Sequence, residues 1–527
     1  MKLSIGGIWR RPATGGVANP GRPASSSANL VAPRIGNSVW RVTVSIGLVY
    51  VMIAGTLTYW QVVRADALTL DPGNPIVIAA QEGILPGRIL DARGTVLAKS
   101  VRLADGSVLR EYLHDPSLGP LLGYRSSRFG TAGIEAAENA ILTGLTAQSE
   151  SDLLLRKLHF QLYQPQDVIL GIDMRLQQDA ERLMGDRRGA VVAMDPATGR
   201  ILALVSTPGF DPNLIANPET AAAAFQGLTS DAASPLLDRA TQGLYVPGSV
   251  FKLVTSIAGL GSGTITARTV YPDQPAEEKT GFLVDGYRVV DGHHPFTGNV
   301  ALDYTQALEV SCNIYFAHVG LAVGGASMAQ WAARLGFGAP LPFVLPTAAS
   351  QITSGGGPLG GFKDLVELAN AAYGQAEVLV TPLQMALVAS TIANGGVLMQ
   401  PQLVIATRDL DGTLRPTPPV QWRSVIDPAT ASTIANAMEQ AVSGAWGIPF
   451  AGLGKVPGVP TAGKTGTAQL GGAGEPHSWF VGFAPVHGAK IAVAVLLERA
   501  GSGATEAAPL ASNLMADYLA LPPLSVP

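Results

Sequence analysis

Residues 189–206 read Gly189-Ala190-Val191-Val192-Ala193-Met194-Asp195-Pro196-Ala197-Thr198-Gly199-Arg200-Ile201-Leu202-Ala203-Leu204-Val205-Ser206. This predicts a strand over 189–195, a turn at Pro196–Gly199 and a returning strand over 200–206. Just upstream, Arg175 to Met184 has helical spacing. Far downstream, Trp479 to Ala484 and Lys490 to Leu497 are two further strand-like runs, followed by a helical segment over about 505–519. Strands at both ends of a region with helices between them predict an α+β fold. One antiparallel sheet is completed by distant chain segments and covered by helices. The sequence contains no internal repeat.

The 527 residues suffice for two domains and an anchor. Charged residues make up only 14% against 47% hydrophobic, and the net charge is −4, so no basic field exists to hold nucleic acid. A single cysteine, Cys312, excludes an intrachain disulfide and a multi-cysteine metal centre. His293 and His294 fall in what reads as a polar loop, Asp291 to Pro295, without spaced ligands; no metal and no cofactor are expected. From Val42 to Val63 runs an uncharged stretch of about 22 residues between Arg41 and Arg64, with Tyr59 and Trp60 near its end. At 1.5 Å per residue it reaches roughly 33 Å, enough to cross a hydrocarbon core of about 30 Å. Lys2, Arg10, Arg11, Arg22, Arg34 and Arg41 precede it with no acidic residue before Asp66, which predicts a cytoplasmic tail and an outside location for the rest. The segment ends Trp60-Gln61-Val62-Val63-Arg64 without a small-residue cleavage site, so a retained anchor is expected in the plasma membrane. The expected layout is a tail over 1–41 (Pro-, Gly- and Ser-rich over 12–33), a span over 42–63, a small linker domain over 64–170 and a catalytic domain over 171–527. The linker stretch assembles no catalytic set.

Three short motifs follow in order. Ser249-Val250-Phe251-Lys252 comes after Tyr245-Val246-Pro247-Gly248, and Val250 to Leu260 has helical spacing, so Ser249 is expected to open a helix. A helix N-terminus favours an anion by only about 1 kcal/mol, so the hydroxyl needs a base, and Lys252 lies one turn along. A neutral lysine near pH 7 requires its pKa to fall about three units, or roughly 4–5 kcal/mol, from burial and a second cation. Taken alone the tetrapeptide better fits an N-capping serine and a surface lysine. Ser311-Cys312-Asn313 offers a hydroxyl to relay a proton and an amide to grip a carbonyl. Ser27-Ala28-Asn29 matches the same pattern, and Cys312 lacks the histidine partner of a nucleophile and reads as a small packed residue. Lys464-Thr465-Gly466-Thr467 leads into the strand at 479–484, where Lys464 is placed to hold a carboxylate and Gly466 to let a backbone approach. Lys279-Thr280-Gly281 is its decoy, a charged turn after Glu277-Glu278.

The ordered set Ser-x-x-Lys, Ser-x-Asn, Lys-Thr-Gly is a general signature of penicillin-binding proteins and class A β-lactamases. With these residues in place the chain resembles a class B penicillin-binding protein, a monofunctional peptidoglycan D,D-transpeptidase, from the span to the C-terminus. Val191 to Asn213, Asp238 to Lys252, Gly374-Gln375, Thr381 to Ala386 and His477 to Pro485 are similar to that family, and Tyr124 to Gly144 resembles its short A type. The resemblance implies a five-stranded antiparallel sheet covered by helices, beside a pedestal (dimerisation-like) linker domain. It also implies that Ser249 attacks the penultimate D-Ala carbonyl of a stem peptide, with Lys252 as base and Ser311 as proton shuttle. Asn313 would hold the donor peptide, and Lys464 with Thr465 its terminal carboxylate. Backbone N–H groups of Ser249 and Thr467 would stabilise the oxyanion. β-Lactams would trap Ser249, and the implied partner is a membrane lipid II polymerase of the shape, elongation, division and sporulation family. Pro86 and Ala92 stand where the family commonly has arginines that bridge linker and catalytic domain. About 110 residues after the span cannot house a glycosyltransferase domain, and a β-lactamase would lack the linker. A D,D-carboxypeptidase uses the same residues, and a penicillin-recognising scaffold or sensor is the non-enzymatic alternative.

Overall fold

The structure, a computed structural model, describes residues 35–60, 64, 84–114, 116–145, 164–291, 294, 298, 300–471 and 474–522. Residues 1–34, with the Ser27-Ala28-Asn29 decoy, residues 61–63 and 65–83, and His293 lie outside the described residues. Helix α1 (Ile35–Thr58) begins earlier than Val42, and its apolar portion Val39–Thr58 is exposed among the described residues. Twenty residues at 1.5 Å reach roughly 30 Å, so α1 is long and apolar enough to span a membrane once. The hydroxyls of Thr43, Thr56 and Thr58 donate to the carbonyls four residues earlier, which satisfies these three polar groups within the helix. Tyr59 and Trp60 meet edge to face at its end.

Beyond residue 68 the chain forms a separate compact unit. The strands of its two larger sheets are β1 (Ile89–Leu90), β2 (Val96–Arg102), β3 (Val108–Tyr112), β4 (Asp167–Leu170), β5 (Gly189–Met194), β6 (Ile201–Thr207), β7 (Val404–Arg408), β8 (Leu414–Pro416), β9 (Ala462–Ala468), β10 (His477–Ala484) and β11 (Ile491–Leu497). The helices that matter for the site are α2 (Met174–Met184), α3 (Lys252–Gly261), α4 (Gln274–Thr280), α5 (Tyr304–Glu309), α6 (Asn313–Val323), α7 (Pro382–Ala393) and α8 (Ala507–Ala520).

The expected hairpin is β5–β6. Asp195 closes its turn by accepting from the Ala197 N–H at 3.0 Å and from the Thr198 hydroxyl at 2.8 Å. Five antiparallel strands then align in the order β9-β10-β11-β5-β6. One register line runs through Lys464, Val481, Ala494, Val192 and Leu204. Alternate side chains on these strands serve opposite faces. Val191, Ala193, Val493 and Val495 pack with Leu176, Ala180, Leu510 and Leu514 of α2 and α8. Val192, Ala494 and Val481 belong to the core on the other side, where α7 lies across the sheet. Both faces are buried, which accounts for apolar runs without polar alternation. Strand β9 is left at the edge, beside the nucleophile turn.

A second sheet has the order β8-β7-β4-β1-β2-β3. Its β7 and β8 come from far along the chain, so residues 404–416 complete the sheet begun by 89–112. Pro86 and Ala92 do not abolish the tie between linker and catalytic parts. Arg93 donates to Asp173, the buried N-cap of α2, at 2.8 Å, and Asp91 accepts from the Met174 N–H at 3.2 Å. Within the linker, buried Glu135 pairs with both Arg110 and Arg125. Lys279-Thr280 is not a turn but the last turn of α4, with Gly281 at φ +80° ending the helix.

Candidate active site

Ser249 is expected from its sequence context to open a helix, but it does not open the α-helix. Gly248–Phe251 is a turn of 3-10 helix, and α3 begins only at Lys252. The difference has a chemical consequence. In 3-10 geometry residues three apart eclipse one another, which stacks Lys252 directly over Ser249, with Nζ 3.1 Å from Oγ. The turn is held from two sides. The Gly248 N–H donates to the Gly374 carbonyl at 2.9 Å, and the Trp479 indole N–H donates to Val246 O at 3.0 Å. Gly374 has φ +85°, and a Cβ there would lie 1.9 Å from the Gly248 carbonyl oxygen, so only glycine fits.

Ser311 sits between α5 and α6 at φ +62°, a left-handed conformation that costs a non-glycine residue about 1–2 kcal/mol. That conformation places its hydroxyl between two lysines. Lys252 Nζ lies 3.1 Å from Ser311 Oγ, 2.5 Å from its carbonyl and 2.7 Å from Asn313 Oδ1. Lys464 Nζ donates to Ser311 Oγ at 2.8 Å and to Thr465 O at 3.1 Å. Both lysines are fully buried. Burial lowers the Lys252 pKa to about 8, against the opposing charges of Asp291 and Cys312. Burial, followed by the charge of Lys252, pushes Lys464 well below the ordinary lysine range, with Asp291 opposing. The second lysine anticipated beside Lys252 is Lys464, but burial alone lowers Lys252; the effect of one lysine's charge on the other falls on Lys464.

The structure thus gathers Ser249, Lys252, Ser311, Asn313 and Lys464, which lie up to 215 residues apart in sequence. It does not treat the last motif as the sequence suggests. The Thr465 side chain is buried, its hydroxyl donates to Phe450 O at 3.0 Å, and it does not line the cleft. Thr467 is exposed instead and lines the cleft. Gly466 does permit a close backbone approach, but by this chain: a Cβ would lie 2.7 Å from Pro247 O. The cleft, about 580 Å³, is lined by Ser249, Asn313 and Thr467. Sequence reasoning missed its other walls, Tyr287, Asp291, Asn370, Tyr373 and Gln375. The Gly374-Gln375 dipeptide was the one signal of that wall.

Cys312 is packed and buried, as expected, and it caps α6 by accepting from the Tyr315 N–H. His294, however, is buried, not exposed in a polar loop. Glu278, Asp291, His294 and Cys312 each bring one metal-ligating atom within 4.8 Å of the others. The assembly spans α4, a loop and the start of α6, so no local spacing could announce it.

With this geometry established, comparison with known proteins is decisive. The profile described as "Penicillin binding protein transpeptidase domain" matches residues 189–516, and that described as "Penicillin binding protein A dimerisation domain" matches 86–161. The chain belongs to the penicillin-binding proteins of class B. It is 35% identical to the peptidoglycan D,D-transpeptidase PbpA of Mycolicibacterium smegmatis, over 92% of this chain and 99% of that one. The PbpA of Mycobacterium tuberculosis is also 35% identical, over 90% of this chain and 97% of its own. The solved ceftriaxone acyl-enzyme complex of M. tuberculosis penicillin-binding protein A superposes with a TM-score of 0.72 at 32% identity, covering 84% of this chain and all of that one. Within its class the chain is of the penicillin-binding protein A type.

Proposed function

We propose that this chain is a peptidoglycan D,D-transpeptidase that cross-links stem peptides through an acyl-enzyme on Ser249, and that β-lactams acylate the same atom. The observation that carries it is the contact of Lys252 Nζ with Ser249 Oγ at 3.1 Å inside a buried two-lysine site. Lys252 Nζ faces four oxygens. An ammonium has only three protons, whereas a neutral amine can turn its lone pair to the serine hydroxyl. Lys252 takes the Ser249 proton as Oγ attacks the penultimate D-Ala carbonyl. The oxyanion forms against the backbone N–H groups of Ser249 and Thr467, a contribution of about 3–4 kcal/mol per donor. Ser311, bonded to both lysines, passes a proton to the departing D-Ala amine. An amine of a neighbouring stem then attacks the ester and regenerates Ser249.

Asn313 holds the donor peptide, and Thr467, not Thr465, is the threonine available to its terminal carboxylate; Lys464 and Gly466 shape that subsite from behind. We assign residues 64–170 to the linker domain and 171–527 to the transpeptidase domain. The basic tail is cytoplasmic, the span lies in the plasma membrane, and the remainder is outside. The partner we assign to the span and linker is a lipid II polymerase of the shape, elongation, division and sporulation family.

Fluorescent-penicillin labelling of the full chain in detergent tests the acyl-enzyme, with intact mass to count adducts. One stable adduct is expected on the wild type and none on Ser249→Ala, a loss on the order of 10⁴–10⁶ in rate. Labelling of the variant at the wild-type rate would overturn the mechanism. A labelled wild type that passes the peptidyl acyl group only to water, even with acceptor amine present, would instead make it a carboxypeptidase.

A further inference from the structure

Asn370, Tyr373 and Gln375 line the cleft that holds Ser249, yet the groups assigned to the donor peptide lie elsewhere, on Ser249, Asn313 and β9. We propose that Tyr373 receives the second substrate: its phenol oxygen accepts an N–H of the incoming amine and so turns the nitrogen lone pair toward the Ser249 ester. This rests on the transpeptidase reading above and adds to it the residue that binds the acceptor.

One hydrogen bond here has a forced direction. Asn370 lies in the helix Leu365–Ala371, and its Nδ2 donates to the Val366 carbonyl at 2.8 Å. A carbonyl only accepts, so reversing the amide would set two oxygens against each other. Asn370 Oδ1 therefore faces Tyr373, and the Tyr373 hydroxyl donates to it. A phenol has a single hydrogen. With that hydrogen committed, Tyr373 Oη offers only lone pairs to a molecule in the cleft. Both side chains are buried, Tyr373 at 7% and Asn370 at 8% exposure, which keeps water from competing for the bond. Burial, aided by Tyr287 and Asp291, pushes the Tyr373 pKa up, so the phenol stays neutral. The Tyr287 phenol also reaches it, but that ring is exposed and gives way to an incoming N–H.

An attacking amine requires such a neighbour. It carries one lone pair, which must point at the ester carbonyl, and two N–H groups. As the N–C bond forms and the C–Oγ bond breaks, Lys252 takes one amine proton and returns it to Ser249 Oγ. The second N–H stays on nitrogen and calls for an acceptor. A freely turning hydroxyl would also donate to the nitrogen lone pair and quench it; Tyr373, its hydrogen held by Asn370, does not.

The wall is tied to the nucleophile on both sides of Tyr373. The Thr255 hydroxyl of α3 donates to the Ala372 carbonyl at 2.7 Å, and the Gly248 N–H donates to the Gly374 carbonyl at 2.9 Å. The Gln375 N–H returns to the Asn370 carbonyl at 3.0 Å and closes the turn. Tyr373 is thus placed relative to Ser249 by its two neighbours in sequence, as a group that orients a nucleophile must be.

Tyr373→Phe in the full chain in detergent tests this, first with penicillin and then with a thiolester of an N-acyl-D-alanine as donor and D-alanine as acceptor. Neither the penicillin ring nitrogen nor the thiolester sulfur carries a hydrogen, so neither acylation uses Tyr373. Acylation should stay within about twofold of wild type, while the ratio of aminolysis to hydrolysis falls about tenfold. A merely structural role would slow acylation as well. Asn370→Leu keeps the side-chain shape and frees the Tyr373 hydroxyl; it should lower the same ratio with acylation retained, and it decides the matter if Tyr373→Phe does not fold. An unchanged ratio in a folded variant, or a parallel fall in acylation, would overturn the inference and leave the Ser249 mechanism standing. A wild type that acylates but never transfers to amine would instead overturn the transpeptidase reading, and this inference with it.

Discussion

At the scale of single residues the site is a problem in placing two lysines. Each is buried, and each therefore favours its neutral form. Lys252 titrates near pH 8, and acylation needs its unprotonated amine, so the sign is fixed. The penicillin acylation rate should rise about tenfold per pH unit up to roughly pH 8 and level off above it. Stopped-flow acylation from pH 6 to 9.5, with folding followed in parallel, checks this; a flat profile would remove Lys252 as the base. Lys252→Ala should lower the rate on the order of 10²–10⁴. The residue types were legible in the sequence because Ser-x-x-Lys, Ser-x-Asn and Lys-Thr-Gly are short. Their division of labour was not. Thr465 and Thr467 share one face of β9, and which of them is open to the cleft depends on Phe450, a residue outside the motif, whose carbonyl takes the Thr465 hydroxyl.

At the scale of elements, the nucleophile turn owes its shape to parts that carry no chemistry. Eclipsed stacking of Ser249 and Lys252 requires the 3-10 turn, and the turn is pinned by the Gly374 carbonyl. Gly374→Ala combines an unfavourable φ of +85° with a Cβ 1.9 Å from the Gly248 oxygen. It should destabilise the protein by more than about 2 kcal/mol and slow acylation at least tenfold. Thermal unfolding and penicillin labelling of the variant measure the two effects. Strand positions, by contrast, were read from sequence to within one or two residues for four of the five catalytic strands, since long apolar runs bounded by turn residues leave few alternatives. β9 was harder: Ala462–Ala468 contains two glycines and a lysine, and only its pairing with β10 makes it a strand.

At the scale of the whole molecule, distant segments are tied by a few buried polar contacts. Arg239 precedes the nucleophile turn and is fully buried. It donates to Glu498, at the end of β11, at 2.8 Å, and Tyr245 donates to the same carboxylate at 2.8 Å. Arg239→Met removes the buried cation from Glu498, which keeps only Tyr245 and the more exposed Arg188, and leaves the carbonyls of Ala233 and Ser234 without that donor. The expected loss is about 3–5 kcal/mol, read as a lower denaturant midpoint. Labelling should persist at temperatures where the variant is still folded. The sheet that carries β1 to β4 likewise depends on β7 and β8, so linker and catalytic segments share one framework.

The sequence by itself determined the anchor, the α+β class, the order of the three motifs and the family they resemble. Each of these is written in local composition or short spacing, where a few adjacent residues carry the information. Only the tertiary structure decided that Ser311 bridges two lysines, that Thr465 is buried against Phe450 while Thr467 lines the cleft, and that His294 joins Cys312. These contacts close loops of tens to hundreds of residues, and their geometry follows from how the sheet and helices pack.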